Sequence, residues 1–330
     1  KPIWISESGV SSSLGKEKKA FDLQASYVAR NHLLCFGLGV QKFFYFDLQN
    51  WFDTEESAWD SQLGLVTAAG ERKPSFFAYQ TLVREIEGRE IIGLCEGMGE
   101  EEYAILLHDP RTGEFTLAAW LGNDAESREI PVAIKGRMCS ITHSLGEITT
   151  RNTGPDARLA IPLDRHPRYV TPVDPEVYLP MAGIRLDPAL SLIAPGESIP
   201  FQILAAPLLG DPVVRSLEIQ AGEGFSWDEA RGVLTLNANL PPGRYPITAL
   251  TRVEVGQPGA RRALEITRHA EVEVISVFEV VLRPYREDGA LFSEIRLVNL
   301  SSASMTETPR LLEIRADGGR RELAALAPQA

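Results

Sequence analysis

Two short apolar runs near the start of the chain each end in an acidic side chain. Ile3 to Ser6 is a β-branched run followed by Glu7, and residues 41–47 form an aromatic run that ends at Asp47. Runs of this length, bounded by turn residues, are typical of strands buried on both faces of a parallel sheet. A charge is costly in a dry place, so we expect both carboxylates to meet solvent or ligand at the carboxyl ends of the strands. The plain alternative makes Glu7 a loop carboxylate near the next helix.

Helical periodicity follows each of these runs. Apolar residues at helical spacing predict a helix over residues 17–36, which Gly37 and Gly39 terminate, and a second helix that begins at Pro74 and ends at Gly88. Alternation of strand and helix predicts two βα units with parallel neighbouring strands. The long loop between the second strand and the second helix is a candidate functional segment. Its polar and aromatic residues are Asn50, Trp51, Asp53 and Trp59.

From Arg89 onward the pattern changes to short β runs separated by turn residues. Residues 89–175 are predicted to form an antiparallel β-sandwich, and the proline-rich residues 164–180 are predicted to be a linker or an edge strand. Turns recurring roughly every ten residues suggest an immunoglobulin-like sandwich over residues 183–276. The predicted fold class is multidomain, α/β plus all-β. Its predicted domains are residues 1–88, 89–180, 183–276 and 277–330.

Composition excludes several classes of function. The net charge of −12, from 33 basic and 45 acidic residues, argues against a nucleic-acid partner. No apolar stretch is long enough to predict a transmembrane span. The cysteines Cys35, Cys95 and Cys139 match no metal or disulfide spacing and are expected in the core. No calcium-binding acidic pattern is found, so no metal or cofactor is predicted.

The first 88 residues resemble the last quarter of a clan A glycoside hydrolase barrel. The resemblance rests on an ordered series of motifs: Trp4-Ile5-Ser6-Glu7-Ser8-Gly9, Gln24-Ala25, Gly39-Val40-Gln41-Lys42-Phe43-Phe44-Tyr45-Phe46, Gly64-Leu65, Lys73-Pro74-Ser75-Phe76-Phe77-Ala78-Tyr79 and Gly88. In that clan these are strand seven, helix seven, strand eight and helix eight of a (β/α)8 barrel. A β-sandwich beside the barrel is similar to xylosidase/iduronidase-like and cellulase-like relatives.

The resemblance implies that Glu7 is the nucleophile of a retaining hydrolase acting on a glycoside or polysaccharide. Retention needs a second carboxylic acid about 5–5.5 Å from the nucleophile. The residues assigned to carbohydrate binding are Trp51, Asp47, Asn50 and Tyr45. Each has a plainer alternative from its position: a loop-core aromatic for Trp51, a cap for Asp47 and core packing for Tyr45. A polysaccharide substrate implies an extracellular or periplasmic location.

The sequence departs from the clan at the acid/base glutamate, which the clan carries at strand four. Strands one to six do not occur in these 330 residues, so we expect the chain alone to be an inactive fragment. Two βα units cannot close a barrel, and Ile5, Phe43 and Phe44 should be less buried than in a closed one. Exposed strand edges favour association without fixing an oligomeric state. The alternative is a non-catalytic carbohydrate-binding or scaffold protein, in which Trp120 and Trp227 are sugar platforms or core residues.

Overall fold

The computed structural model describes residues 2–13, 19–51, 62–123, 127–210, 212–237, 240–257, 259–275, 278–287, 290–299, 310–314 and 320–325. The chain forms two compact units. The first comprises Lys1–Arg185, Leu204–Pro212 and Val255–Arg261, and the second comprises Leu186–Ile203, Val213–Glu254 and Arg262–Ala330. Most of the described elements are β-strands and three are α-helices, in agreement with a β-rich, multidomain prediction.

The first unit begins with two βα pairs. Their elements are β1 (Trp4–Ser8), α1 (Lys19–Gly37), β2 (Lys42–Tyr45) and α2 (Pro74–Ile86). β1 and β2 form a parallel two-stranded sheet in which Ile5 lies opposite Phe43 and Ser8 opposite Tyr45. The predicted order and the parallel pairing are confirmed, but β2 ends two residues before Asp47. The (β/α)8 barrel itself stays a prediction.

The two helices end where the glycines predict. Gly39 and Gly88 both have positive φ after the last helical turn, a backbone conformation that glycine adopts without steric cost. In α1 the face expected from helical spacing is largely buried, with Ala25 and Val28 inside the protein and Phe21 exposed.

In α2 helical spacing predicts a buried stripe of Phe76, Tyr79, Leu82 or Val83, and Ile86, and this is right in part. Leu82 is buried, and Tyr79 and Ile86 pack against the same core. Val83 is 41% exposed and Phe76 is half-buried. The buried residues of α2 are Ser75, Ala78, Thr81, Leu82 and Glu85.

Small side chains explain this difference. Ala25 and Ala29 of α1 and Ser75 and Ala78 of α2 are fully buried, and the two helices pack against each other. Small residues let helix backbones approach closely, so the larger aromatic residues of α2 lie beside the contact. The hydroxyl of Ser75 donates to Gln24 Oε1 at 3.0 Å across this contact.

The rest of the first unit is mainly antiparallel β structure. Its strands are β3 (Glu90–Leu94), β4 (Glu102–Asp109), β5 (Glu114–Leu121), β6 (Arg128–Ala133), β7 (Met138–His143), β8 (Ile148–Asn152), β9 (Arg158–Leu163) and β10 (Arg168–Thr171). One sheet has the order β3-β4-β5-β10-β7-β8, and β6 pairs with β9. Neighbouring strands are antiparallel throughout. This confirms the antiparallel character predicted for residues 89–175.

The prediction that residues 164–180 form a linker or an edge strand is wrong. β10 lies inside the six-stranded sheet, with β5 on one side and β7 on the other. Its Tyr169 and Val170 are buried. The α-helix α3 (Pro175–Gly183) follows directly, with Asp174 as its N-cap and Pro175 in its first turn. Proline is favourable there because the first helical N–H groups have no partner in the helix.

A shared core fastens the helices of the first unit to the sheet. Leu33 of α1 and Leu82 of α2 pack with Ile105, Leu107, Ala118, Trp120 and Tyr169. Trp120 is 1% exposed and stacks on Tyr103 with ring centroids 5.8 Å apart. Its interpretation as a core residue is therefore right, and a sugar-platform role for Trp120 is wrong.

The second unit is all-β in its described part. Its strands are β11 (Ile184–Asp187), β12 (Leu190–Ile193), β13 (Ser198–Pro200), β14 (Gln202–Ala205), β15 (Val213–Gln220), β16 (Phe225–Asp228), β17 (Val233–Leu236), β18 (Gly243–Val255), β19 (Arg262–Val274), β20 (Phe278–Glu287), β21 (Ala290–Asn299), β22 (Arg310–Ile314) and β23 (Arg320–Ala325). Three of them, β11, β14 and β18, include one or two residues of the first unit. Sheets β12-β19-β18-β15 and β13-β17-β16 share one core. Trp227 packs against it. The immunoglobulin-like topology stays a prediction.

The burial of the cysteines agrees with the prediction that they are core residues. Cys95 and Cys139 are buried, Cys35 is half-buried, and all three are free thiols. Burial raises the pKa of the Cys35 and Cys139 thiols. In the part of the chain that the structure describes, no helix is long and apolar enough to cross a membrane.

Candidate functional site

Glu7 and Asp47 lie toward the same end of the parallel sheet, where β1 and β2 have their carboxyl-terminal residues. Glu7 is the penultimate residue of β1 and its side chain is exposed. Beyond β2 the pairing continues for one step, because the Phe46 amide donates to the Ser8 carbonyl at 2.9 Å. Among the described residues, none forms a hydrogen bond or ion pair with the Glu7 carboxylate. The carboxylate is therefore available to solvent or to a ligand.

A glycine makes the close approach of these two strand ends possible. A Cβ added at Gly9 would lie 1.9 Å from the carbonyl oxygen of Phe46. Any side chain there would push the loop after Glu7 away from the turn that carries Asp47. The Gly9 in the sequence motif thus has a packing role that directly serves the site.

A second strand-like segment holds the loop after β2. The Leu65 amide donates to the Asp47 carbonyl at 3.1 Å, and the Asn50 amide donates to the Val66 carbonyl at 3.0 Å. Gly64 is required for this contact, since an added Cβ would lie 2.2 Å from the backbone nitrogen of Asn50. The backbone from Asp47 to Asn50 is consequently well defined.

Trp51 is exposed and its ring is held from two sides. Its indole Nε1–H donates to Asp47 Oδ2 at 3.1 Å, and the Phe46 ring meets it edge to face with centroids 6.3 Å apart. The side chain remains 55% exposed. An aromatic ring with a fixed orientation and a solvent-exposed surface is suited to stack on the apolar face of a sugar ring.

Asp47 is used as a hydrogen-bond acceptor at both oxygens. Oδ2 accepts the Trp51 indole N–H, and Oδ1 accepts the backbone N–H of Leu48 at 2.5 Å. Acceptor-only bonding is the role of an ionised carboxylate. Asp47 therefore orients Trp51, with its remaining lone pairs open to a sugar hydroxyl.

The structure places Asn50 inside the protein. It is 4% exposed. Its Nδ2 donates to Gln62 Oε1 at 3.0 Å, and its Oδ1 accepts from the Gly64 amide at 3.0 Å and from Lys73 Nζ at 3.1 Å. These bonds hold the loop together, so the geometry gives Asn50 a supporting role in place of the expected contact with sugar.

Tyr45 also faces inward. Its hydroxyl donates to the Leu63 carbonyl at 2.9 Å, and its ring lies 6.3 Å from that of His32 on α1. Burial raises the pKa of Tyr45, and the charge of Asp47 acts in the same direction. The alternative of core packing fits this arrangement better than a contact with substrate.

His32 is a packing residue on α1. It is 3% exposed, its Nδ1–H donates to the Val28 carbonyl at 2.7 Å, and its ring lies 4.2 Å from that of Phe43. Burial lowers the pKa of His32. A neutral imidazole is the form that such an apolar position favours.

Sequence reasoning missed a group of buried polar side chains behind the strand ends. Gln24 is fully buried and its Nε2 donates to the Val10 carbonyl at 2.8 Å and the Leu63 carbonyl at 3.1 Å. Lys73 belongs to the same group. The signal in the sequence was a long polar residue on the buried face of α1 and a lysine directly before Pro74.

Three of the five predicted site residues are thus presented to solvent or held where a ligand could reach them. Glu7 lies in the last residues of β1, and Asp47 and Trp51 lie in the loop that follows β2. Asn50 and Tyr45 form hydrogen bonds within the protein that hold this loop. Asp53 and Trp59 lie outside the described residues. Among the residues that are described, no three or more His, Cys, Asp or Glu side chains are grouped to hold a metal ion.

Comparisons with known proteins add a weak likeness to solved structures. No protein-family model matches the sequence, and no curated protein is detectably similar to it. A solved structure of a family 39 glycoside hydrolase from Bacteroides cellulosilyticus WH2 is similar with 21% identity and a TM-score of 0.44. The match covers 52% of this chain and 34% of that chain. The chain spans about a third of that protein, and a likeness of this size does not assign it to the family.

Proposed function

We propose that the strand ends carrying Glu7, Asp47 and Trp51 form a carbohydrate site in which Glu7 is the nucleophile of a retaining O-glycoside hydrolase. The observation that carries the proposal is the exposed Trp51 ring, which Asp47 orients in the loop that follows β2, the strand paired with the one bearing Glu7. A rigid aromatic surface next to an exposed carboxylate is what sugar stacking and attack at an anomeric carbon require.

The proposed reaction has two displacements. In the first, a Glu7 oxygen bonds to the anomeric carbon while the bond to the leaving oxygen breaks, and an acid gives that oxygen a proton. In the second, a water molecule is deprotonated and attacks the same carbon, releasing the sugar and restoring the Glu7 carboxylate. Atoms and charge balance over the two steps without a metal or a redox partner.

Asp47 is a poor candidate for the acid. Both of its oxygens already accept N–H bonds, from Leu48 and from Trp51, so its carboxylate is used to hold the loop and the Trp51 ring. The acid therefore belongs to another residue. With its acid absent, the site would still bind sugar, and a non-catalytic carbohydrate-binding protein is the second candidate that this observation favours. In either case we propose an extracellular or periplasmic location, because the polysaccharides of cell walls lie outside the cytoplasm.

Binding is tested by titrating the chain with xylo- and cello-oligosaccharides while the Trp51 indole N–H signal is followed by NMR. We expect the Trp51 signal to move on binding and the affinity to be lost in Trp51→Ala. Trp4→Ala is the matched control, since Trp4 is 57% exposed on β1. Equal loss in both variants, or binding that survives Trp51→Ala, would contradict the proposed platform.

Catalytic competence is tested separately with 2,4-dinitrophenyl 2-deoxy-2-fluoro-β-glycosides. Their leaving group departs without protonation, so the nucleophile can be trapped even where the acid is missing. An adduct on the peptide that contains Glu7, lost in Glu7→Gln, supports the hydrolase. Oligosaccharide binding with no adduct supports the binding protein, and the absence of both rejects a carbohydrate site.

A further inference from the structure

A buried lysine connects the loops that follow β1 and β2. Lys73 is 2% exposed. Its ammonium donates to Ser12 Oγ at 3.1 Å, to Asn50 Oδ1 at 3.1 Å and to the Gln62 carbonyl at 3.3 Å. These acceptors come from three separate stretches of the chain, so one charged group holds them in fixed relation.

The rules of helix formation do not account for a lysine at this position. Lys73 is the N-cap of α2 and makes no side-chain capping bond. A lysine has no acceptor for the free amides of the first turn, and its charge is unfavourable at the positive end of the helix dipole. Burying an ammonium is also costly unless several hydrogen bonds satisfy it. The contacts of Nζ are therefore what the residue contributes.

On one side the lysine fixes the residue directly before Trp51. The side chain of Asn50 is bonded to Gln62, to Gly64 and to Lys73, so the backbone that leads into Trp51 has little freedom. Losing the ammonium would remove one of the bonds that immobilise this amide, while Asn50 Oδ1 would keep the bond from the Gly64 amide.

On the other side the lysine fixes the loop that follows Glu7. Ser12 accepts from Lys73, its amide donates to the Gln62 carbonyl at 3.1 Å, and its hydroxyl donates to the same carbonyl at 3.2 Å. Between Glu7 and Ser12, Gly9 packs against the Phe46 carbonyl. The loop is thus held at Gly9 against the segment that carries Asp47 and Trp51, and at Ser12 against Gln62 and Lys73.

We propose that Lys73 is a positioning residue that sets Trp51 relative to Glu7 by clamping the two loops together. The proposal rests on the proposed function for its consequence in carbohydrate binding. The effect on the Trp51 ring does not depend on any ligand. Such indirect control is effective because a binding site that is loose by about 1 Å loses much of its power.

The experiment compares Lys73→Met with Lys135→Met in the full chain labelled with ¹⁵N. Methionine keeps an apolar stem of similar length and removes the charge, and Lys135 is an exposed lysine of the same unit. The Trp51 indole N–H signal, assigned with Trp51→Phe, reports the bond to Asp47. The signal of Trp120, a core residue, reports whether the unit remains folded.

We expect the Trp51 signal to shift or broaden in Lys73→Met, the Trp120 signal to stay in place, and Lys135→Met to match the native protein. Oligosaccharide affinity should fall by about tenfold or more in Lys73→Met. An unmoved Trp51 signal, or a shift of Trp51 and Trp120 together, overturns the proposal. If the native chain binds no oligosaccharide, the proposed function fails while the Trp51 signal still decides the role of Lys73.

A gentler variant keeps the test decisive if Lys73→Met does not fold. Ser12→Ala removes one acceptor of the ammonium and leaves the charge in place. The same change in the Trp51 signal, smaller in size, is expected. A folded Ser12→Ala whose Trp51 signal is identical to that of the native chain would overturn the proposed clamp.

Discussion

At the scale of single residues, the site depends on which side chains face outward from two adjacent strand ends. Asn50 and Trp51 are neighbours in sequence, yet Asn50 is 4% exposed and Trp51 is 55% exposed. The amide suits the interior because each of its polar atoms has a partner there, and an unpaired buried amide would be costly. The indole suits the surface because its N–H is already bonded to Asp47.

Gly9→Ala should destabilise the first unit by about 1–3 kcal/mol, the usual cost of overpacking. The added methyl carbon would meet the Phe46 carbonyl oxygen at 1.9 Å, and backbone on both sides must move. Urea unfolding followed by the fluorescence of buried Trp120 measures the loss.

Gly154→Ala is the control for that substitution. The nearest atom to its added Cβ, at 3.1 Å, is a side-chain oxygen of Asp156, which can rotate away. A Gly9→Ala protein as stable as the control would show that the loop after Glu7 is not held against the Phe46 carbonyl.

His143 should make the chain less stable at acidic pH. Its Nδ1 accepts the Leu145 amide at 3.0 Å, which only an unprotonated nitrogen can do. Burial, Arg168 and His166 lower the pKa of His143 to about 4, against the opposing carboxylates of Asp164 and Asp22.

The sign of the effect follows from linkage between folding and protonation. The unfolded histidine takes up its proton near pH 6.5, so between pH 6.5 and 4 the unfolded state binds more protons than the folded state. Stability conferred by neutral His143 is present above pH 6.5 and is lost as the pH falls toward 4. The slope is at most about 1.4 kcal/mol per pH unit, less solvent screening.

His143→Asn isolates this contribution, since asparagine keeps an acceptor for the Leu145 amide and cannot titrate. We expect the urea midpoint of the variant to vary less between pH 6.5 and 4 than that of the native chain. The exposed His269 provides the control variant His269→Asn. Parallel pH profiles for all three proteins would refute the prediction.

At the scale of elements, periodicity predicted the strands and helices better than it predicted which strands pair in the sheet. The apolar pattern of residues 168–171 is too short to distinguish an edge strand from a central one, and the prolines around it suggested an edge. The structure places β10 in the middle of the sheet, because Pro172 and Pro175 come just after its last ladder position and remove no hydrogen bond that the sheet needs.

The start of α3 can be tested through its N-cap. Asp174 Oδ1 accepts the Glu176 amide at 3.0 Å, so Asp174→Ala should cost about 1 kcal/mol of stability. Asp174→Asn keeps an acceptor and should cost much less. Urea unfolding of the two variants measures the difference. Equal losses would show that capping is not what fixes this helix start.

At the scale of the whole molecule, the parallel sheet of β1 and β2 leaves apolar side chains exposed. Within the described chain, β1 and β2 pair with each other alone. Phe44 is 52% exposed, while Phe43 and Ile5 are half-buried, which confirms the expectation of incomplete burial. Open strand edges with apolar side chains favour pairing with further chains.

We expect the chain to self-associate as its concentration rises, and Phe44→Lys to reduce this association. A lysine on an open strand opposes edge pairing through its charge. Phe77→Lys is the control, since Phe77 is 39% exposed on α2, away from any strand edge. Sedimentation velocity over a range of concentrations measures the effect. Equal behaviour of both variants would contradict a role for the strand edge.

The sequence alone was enough to single out the residues of the proposed site. Turn residues, strand length and the acidic residue after each apolar run are local signals, so Glu7, Asp47 and Trp51 could be predicted without coordinates. The positions of α1 and α2 and the antiparallel character of residues 89–175 were also predictable, because periodicity reflects burial on one face of an element.

Tertiary structure alone decided which polar groups are internal. Asn50 and Lys73 are buried and Tyr45 is half-buried because residues 62–66 pass beside the loop after β2 and supply their partners. Nothing within a few residues of each side chain reveals these partners. The same holds for β10. Its central position depends on pairing with β5 and β7, which lie about fifty and about twenty-five residues before it in the sequence. The local pattern of apolar and polar residues indicates which side chains are buried, and long-range packing determines which residues they contact.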